Sequence, residues 1–336
     1  AGMRIVGDAA SQVVYDSLHT LVRAEFSASF DSAPPNEHIR TIAGREEGFY
    51  AWIAANWLAD AQRRDMRSHA AEPRIVGESN ESYNADSEGP VGIIDLGGGS
   101  TQAVGLFSDD GEHSRTDLLS GKGGLQALSD AVYSQSYLGL GAKHVEIAVI
   151  KALVDASPDT ASVAYPCGFL GHEEVDASSG RTLRGTGDYP ACVRLISAAV
   201  EAKLASGAIE GQMKTLALPE RAVARTRFLG ISLLYHLTHF LSVTLQNIPF
   251  PEPSLAAINK GTEELCLVPW ARVSSEFDGK DANTPKDRLR GRCFDGALIA
   301  VLLGESDGMG YGFPPVKSQM TFVEEIAGQE VEWTLG

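Results

Sequence analysis

Sixteen residues constrain this chain more than any others: Val91–Leu106, VGIIDLGGGSTQAVGL. Val91, Ile93 and Ile94 predict a buried strand, and Thr101, Ala103, Val104 and Leu106 predict the strand that returns from it. Gly97–Gly99 is then the tight turn between them. A turn without Cβ atoms lets a ligand reach the backbone, and successive N–H groups form a concave anion site for which phosphate is the natural guest. Asp95 ends the first strand, where a carboxylate can hold a divalent cation or its water. Ser100 and Gln102 occupy alternate positions, face one side and can aim at one reacting water. A plain glycine hairpin capped by an aspartate stays open as the alternative, because short glycine motifs recur by chance.

The net charge of −16 bears on what such a turn can bind. It argues against nucleic acid or an anionic membrane as a partner held by bulk attraction. An acidic chain that binds phosphate needs local help from backbone N–H groups or from a metal ion, which points to Mg²⁺ or Ca²⁺. At 336 residues there is room for two domains, and 43% hydrophobic with 21% charged residues is a globular composition.

The four cysteines, Cys167, Cys192, Cys266 and Cys293, fall into two pairs separated by 25 and 27 positions. Two loop-closing disulfides suit that spacing, with three connectivities available, and reduced core cysteines are the alternative. Asn80-Glu81-Ser82 is a glycosylation sequon in a polar stretch. The chain opens on Ala1-Gly2-Met3-Arg4 without a start methionine, so it reads as cut from a longer protein with any targeting segment out of view. Phe228–Leu245 has the length of a membrane span, but its histidines, threonines and serines predict a buried interface helix instead.

In chain order, the apolar stripe of residues 11–27 predicts a packed helix, and His38–Ala43 a short strand. Gly44–Leu58, GREEGFYAWIAANWL, places Phe49, Trp52, Ile53 and Trp57 at helical spacing with Glu46 and Glu47 in the first turn, where acidic groups complement the helix dipole. One of these glutamates can instead turn into a cleft as a general base. Residues 59–89 read as a surface excursion and 121–140 as a helical region. A helix follows at 143–154, then a loop at 161–189 and a helix at 192–205. A helical region is predicted at 221–245, a short helix within 262–277, a charged loop at 275–290 and an apolar helix at 293–303. Closing strands are predicted at 321–326 and 330–334. Strands alternating with helices indicate an α/β fold with the ligand in a cleft.

Taken in order, the motifs resemble the apyrase family, nucleoside di- and triphosphate hydrolases of the actin-like (ribonuclease H-like) fold. Ala1-Gly2-Met3-Arg4 is similar to the tail of the second apyrase signature, Gly44–Leu58 to the third, Asp95–Gln102 to the fourth and Val331–Gly336 to the fifth. SYLGLG at 136–141 and CFDG at 293–296 match intervening stretches, so the resemblance covers essentially the whole chain.

The resemblance implies a two-domain actin-like nucleotidase, with residues 1–135 as the remainder of the N-terminal domain and 136–336 as the C-terminal domain. It implies Ca²⁺ or Mg²⁺ and direct attack of water on the terminal phosphorus. Glu47 becomes the general base, with Glu46 as the second choice. Asp95 holds the metal through water. Gly97, Gly98 and Gly99 cradle phosphate together with Thr101, while Ser100 and Gln102 position the water. Gly2 belongs to a second phosphate loop, and Trp333 shapes the cleft or packs in the core. The implied disulfides are Cys167–Cys192 and Cys266–Cys293, which favours the Golgi, the endoplasmic reticulum lumen or the extracellular space, with a parent that is membrane-anchored outside this segment.

The first apyrase signature, which lies upstream in the family, is missing, so the expectation is an N-terminally truncated chain with little or no hydrolase activity alone. The nearest rival resemblance is to exopolyphosphatases and guanosine-pentaphosphate phosphatases, which share a similar turn and a glutamate pair. Tyr50-Ala51-Trp52, SYLGLG and the paired cysteines favour the apyrases. A non-catalytic nucleotide-binding module is the reading outside the enzymes. Gly312-Phe313-Pro314 and the cysteine pattern look more like the lumenal diphosphatases, so GDP or UDP is the expected substrate.

Overall fold

The computed structural model describes residues 2–30, 39–69, 90–106, 128, 131–207, 214–220, 223, 226–245, 248–304, 309–316 and 319–331. Its centre is a five-stranded sheet in the order β3 (Tyr133–Leu138), β2 (Ser100–Gly105), β1 (Gly92–Leu96), β7 (Phe228–Ser232) and β8 (Met320–Phe322). The β1–β2 and β2–β3 pairs are antiparallel, whereas β1–β7 and β7–β8 are parallel. A division at residue 135 falls inside β3, so this sheet draws strands from either side of it.

Both faces of the sheet are covered, and the period-two alternation sorts the side chains between them. Ile93, Val104, Leu229 and Ile231 pack with Phe49, Trp52, Ala55 and Leu58 of helix α3 (Gly44–His69). Ile94, Leu96, Ala103 and Phe228 belong to a larger core on the opposite face. That core is built by α4 (Ala142–Asp155), α5 (Tyr189–Ala205), α6 (Leu233–Thr244), α7 (Leu255–Cys266) and α8 (Arg292–Leu303). A strand buried on both faces reads as an apolar run, as VGIIDL does.

Helix α3 is fastened to the sheet where β1 begins. Trp52 Nε1 donates to the Val91 carbonyl at 2.7 Å, and the fully buried Asn56 both accepts from Val91 N (2.9 Å) and donates to its carbonyl (3.1 Å). At Gly48 a Cβ would stand 2.7 Å from Val104 Cγ2, so the missing side chain sets how closely α3 approaches β2.

Several expectations are corrected. Residues 133–138 form β3 rather than helix, because the side chains that face α3 here are Ser134 and Ser136, which hide the strand's inward face from any hydrophobic pattern. The region 221–245 divides into β7 and α6, and among the described residues no helix is long and apolar enough to cross a membrane. The segment read as a loop at 161–189 holds a small sheet of β4 (Ser162–Tyr165), β6 (Thr182–Gly185) and β5 (Glu173–Val175).

Residues 39–43 form no strand. The excursion at 59–89 is helical up to His69, and its sequon lies outside the described residues. After β8, a hairpin of β9 (Glu325–Ile326) and β10 (Gln329–Glu330) interrupts the expected strand at 321–326, and most of the strand expected at 330–334 lies outside the described residues. Helix α2 (Asp8–Phe30) forms as expected but is not packed along its stripe, for Val13, Val14, Leu18 and Leu21 are exposed. The cysteines are joined as Cys167–Cys192 and Cys266–Cys293, the second tying the end of α7 to the start of α8.

Candidate active site

The glycine turn is held by its carbonyls. Ala142 N donates to Gly97 O (3.0 Å), Lys143 N to Gly98 O (3.0 Å) and Gly139 N to Gly99 O (2.8 Å), so the first turn of α4 and the residues before it take up all three. In a trans peptide the N–H points opposite to the C=O. The N–H groups of Gly98, Gly99 and Ser100 are therefore directed away from that clamp, which fits the turn to receive an anion.

Register places three polar side chains in one row on the α3 face. Asp95 of β1 pairs with Gln102 of β2, and Gln102 pairs with Ser136 of β3. Helix α3 delivers Glu47 above this row. Gln102 Nε2 lies 3.1 Å from Glu47 Oε2, 2.8 Å from Ser100 Oγ and 3.2 Å from Ser136 Oγ. Arg4, in the short helix α1 (Gly2–Val6), forms an ion pair with Glu47 Oε2 and donates to Ser136 Oγ at 3.3 Å. Glu47, Ser100, Gln102 and Asp95 are thus brought together around the glycine turn.

Glu46 does different work. It accepts a bidentate pair of hydrogen bonds from Arg40 (2.8 and 2.6 Å) and one from Ala43 N (2.7 Å), the third-residue half of a capping box for α3. The Arg40 hydrogen bonds hold its carboxyl below the usual glutamate range.

Thr101 belongs to the other face, because neighbouring strand residues point opposite ways. Its hydroxyl bonds the Asp95 carbonyl at 2.7 Å and meets the hydroxyl of the fully buried Tyr311 at 2.9 Å. Its side chain braces the turn from behind. Gly2 is the first residue of α1, and Trp333 lies outside the described residues. Sequence reasoning missed Asn56, Ser136, Gly141 and Tyr311 as parts of this apparatus. The SYLGLG match was the signal that pointed to two of them.

Beside Gly97 and Gly98 a cavity of about 550 Å³ runs between α4, the start of α6 and the segment leading into α8. Lys143, Arg288, Arg290 and Arg292 line it together with Glu146 and Asp295. Burial, reinforced by the charge of Asp295, pushes the Glu146 carboxyl up to about 7. Burial also pushes Asp295 up to about 6 against the pull of Arg292, whose guanidinium lies 3.2 Å away.

The sheet, its glycine hairpin and the flanking helices place the molecule in the actin-like class of α/β proteins. A solved nucleoside triphosphate hydrolase from Neospora caninum has the same fold, with a TM-score of 0.55 and 16% identity over 100% of this chain and 70% of that one. The chain belongs to the GDA1/CD39 (nucleoside phosphatase) family, whose match runs over residues 1–336. It is similar to the Golgi apyrase of Schizosaccharomyces pombe (23% identity, 57% of that protein's length) and to human ectonucleoside triphosphate diphosphohydrolase 4 (24%, 57%). It is also similar to the nucleoside-diphosphatase mig-23 of Caenorhabditis briggsae (24%, 60%). All of this chain aligns with each of these curated relatives, of which it spans about three-fifths.

Proposed function

We propose that this chain carries the catalytic apparatus of a nucleoside di- and triphosphate hydrolase, with GDP or UDP as the preferred substrate. The observation that carries the reading is the convergence of Glu47, Ser100 and Ser136 on the Gln102 amide beside a turn whose carbonyls are all tied back. Ser100 and Gln102 hold a water against the terminal phosphate, Glu47 takes its proton, and the water oxygen attacks phosphorus as the bridging P–O bond breaks. The N–H groups of the turn hold the phosphate oxygens as charge redistributes.

The donor set fits a hard divalent cation, Mg²⁺ or Ca²⁺. Asp95 offers one carboxylate at the end of β1, and no group of three or more His, Cys, Asp or Glu among the described residues forms a closed cage. A site completed by water and substrate phosphate is the arrangement Mg²⁺ favours. When bound, such an ion neutralises phosphate charge. The paired cysteines and the names of the relatives support a compartment of the secretory pathway or the extracellular space.

Phosphate release from GDP, UDP, ADP, ATP and polyphosphate tests the reading. It is measured with Mg²⁺ or Ca²⁺ on the longest polypeptide that contains these 336 residues and on its E47Q variant. Metal-dependent release from nucleotides, lost ~100-fold or more in E47Q, is the expected result. Release from polyphosphate alone assigns the exopolyphosphatase reaction instead, and nucleotide binding without release leaves a binding module.

A further inference from the structure

In an in-line displacement the leaving group departs opposite the attacking water. A substrate whose terminal phosphate sits on the glycine turn therefore extends away from Glu47, Ser100 and Gln102. The cavity lined by Gly97 and Gly98 lies in the path of its remaining atoms. Ala142 and Lys143 clamp the turn from the first residues of α4, and Glu146 stands on the same face of that helix, three and four positions on. That places it ~6 Å further along the helix axis from Ala142, beyond the phosphates.

We infer that Glu146 reads the base: its carboxylate, facing the cavity, accepts from two adjacent N–H donors and so selects guanine. This rests on the nucleotide-hydrolase reading above. Guanine alone among the common bases presents a ring N–H beside an exocyclic amine at the spacing of two carboxylate oxygens. Hypoxanthine keeps the ring N–H and lacks the amine. Uracil offers one N–H flanked by two carbonyl oxygens, which a carboxylate repels.

The neighbours of Glu146 leave it available for this task. Arg290 pairs with Glu174, and Arg292 bonds Asp295 and Thr284. Among the described residues none forms an ion pair with Glu146. The buried Tyr165 donates its hydroxyl to Oε1 at 3.4 Å, a long contact that orients the carboxylate. Arg288, also on the wall, supplies donors suited to the O6 and N7 acceptors on guanine's other edge. Burial that disfavours the lone carboxylate raises the gain when two donors reach it.

Calorimetric binding with Mg²⁺ tests the inference, using pyrophosphate, GDP, IDP, UDP and 2′-deoxy-GDP on the same polypeptide. The expected result is GDP bound at least ~10-fold tighter than IDP or UDP. E146Q should bring GDP down to the IDP level and leave pyrophosphate unchanged. Equal affinity for GDP and IDP in the unaltered protein overturns the inference without relying on any variant. So does an equal loss for GDP, IDP and UDP in E146Q, which, with weak 2′-deoxy-GDP binding, assigns the carboxylate to the ribose. If neither pyrophosphate nor any nucleotide binds, the hydrolase reading itself fails and takes the inference with it.

Discussion

Gly141 lies directly against Gly99: a Cβ built on Gly141 would stand 2.4 Å from Gly99 N and 2.4 Å from Ser100 N. Its φ of −71° is one that any residue adopts, so the requirement for glycine here is one of volume alone. G141A should displace the glycine turn, weaken pyrophosphate binding by ~10-fold or more and cost ~1–3 kcal/mol in unfolding free energy. Calorimetry and chemical denaturation read the two effects separately. Unchanged pyrophosphate affinity would show that the turn is not where phosphate binds.

The two adjacent glutamates of α3 should separate cleanly. E47Q removes the group proposed to take the proton and should lower kcat ~100-fold or more while the midpoint of thermal unfolding stays near its original value. E46Q weakens the Arg40 pairing and the hydrogen bond from Ala43 N, so it should lower stability by ~0.5–2 kcal/mol and leave kcat within a few-fold. A reversed pattern would assign the base to Glu46.

Tyr311 and Thr101 join through their hydroxyls across 210 positions of sequence. Y311F and T101V should each destabilise the fold by ~1–2 kcal/mol, since each leaves a buried hydroxyl without this partner. The double variant should lose less than the sum. Urea denaturation of all four members of the cycle measures the coupling, and strict additivity would remove the brace behind the turn.

Glu146 also sets a pH dependence of stability. Its folded-state value of about 7 lies above the ordinary 4.5, so between those values the native state binds more protons than the unfolded chain. Stability should therefore be greatest near and below pH 4.5 as far as this group is concerned, and fall as pH rises towards 7. Asp295, raised to about 6 from 3.8, acts in the same direction over a lower window. The charges around Glu146 oppose one another, with Asp295 and Glu174 raising it and Arg290 lowering it. E146Q should flatten the decline between pH 5 and 8 in urea midpoints. A slope equal to that of the unaltered protein would exclude Glu146 as its source.

The hairpin at 91–106 and the helix from Gly44 were legible because their apolar residues keep the period of the element they form. Strand β3 was not, because its buried positions toward α3 carry Ser134 and Ser136, chosen for hydrogen bonds rather than for burial. Strand β7 merged with α6 because a strand buried on both faces and the helix behind it are both continuously apolar. Among the candidate site residues, Glu47, Asp95, Ser100 and Gln102 carry chemistry that a local motif announces. Tyr311 acts through the Thr101 hydroxyl and Asn56 through the backbone of Val91, both far away in sequence, and no local pattern encodes such a contact.

The clamp on the three turn carbonyls leaves N–H groups, rather than side-chain cations, at the free edge of the turn. Where an anion is met by lysines or arginines, a single change of charge erases the site, and pH or acetylation can tune it. On the proposed reading the receiving edge is peptide backbone, which no change of side-chain charge removes and no titration discharges. Its weakness is steric: the loci at which it can be lost are the glycines, and a scan of charge-altering variants would pass over them.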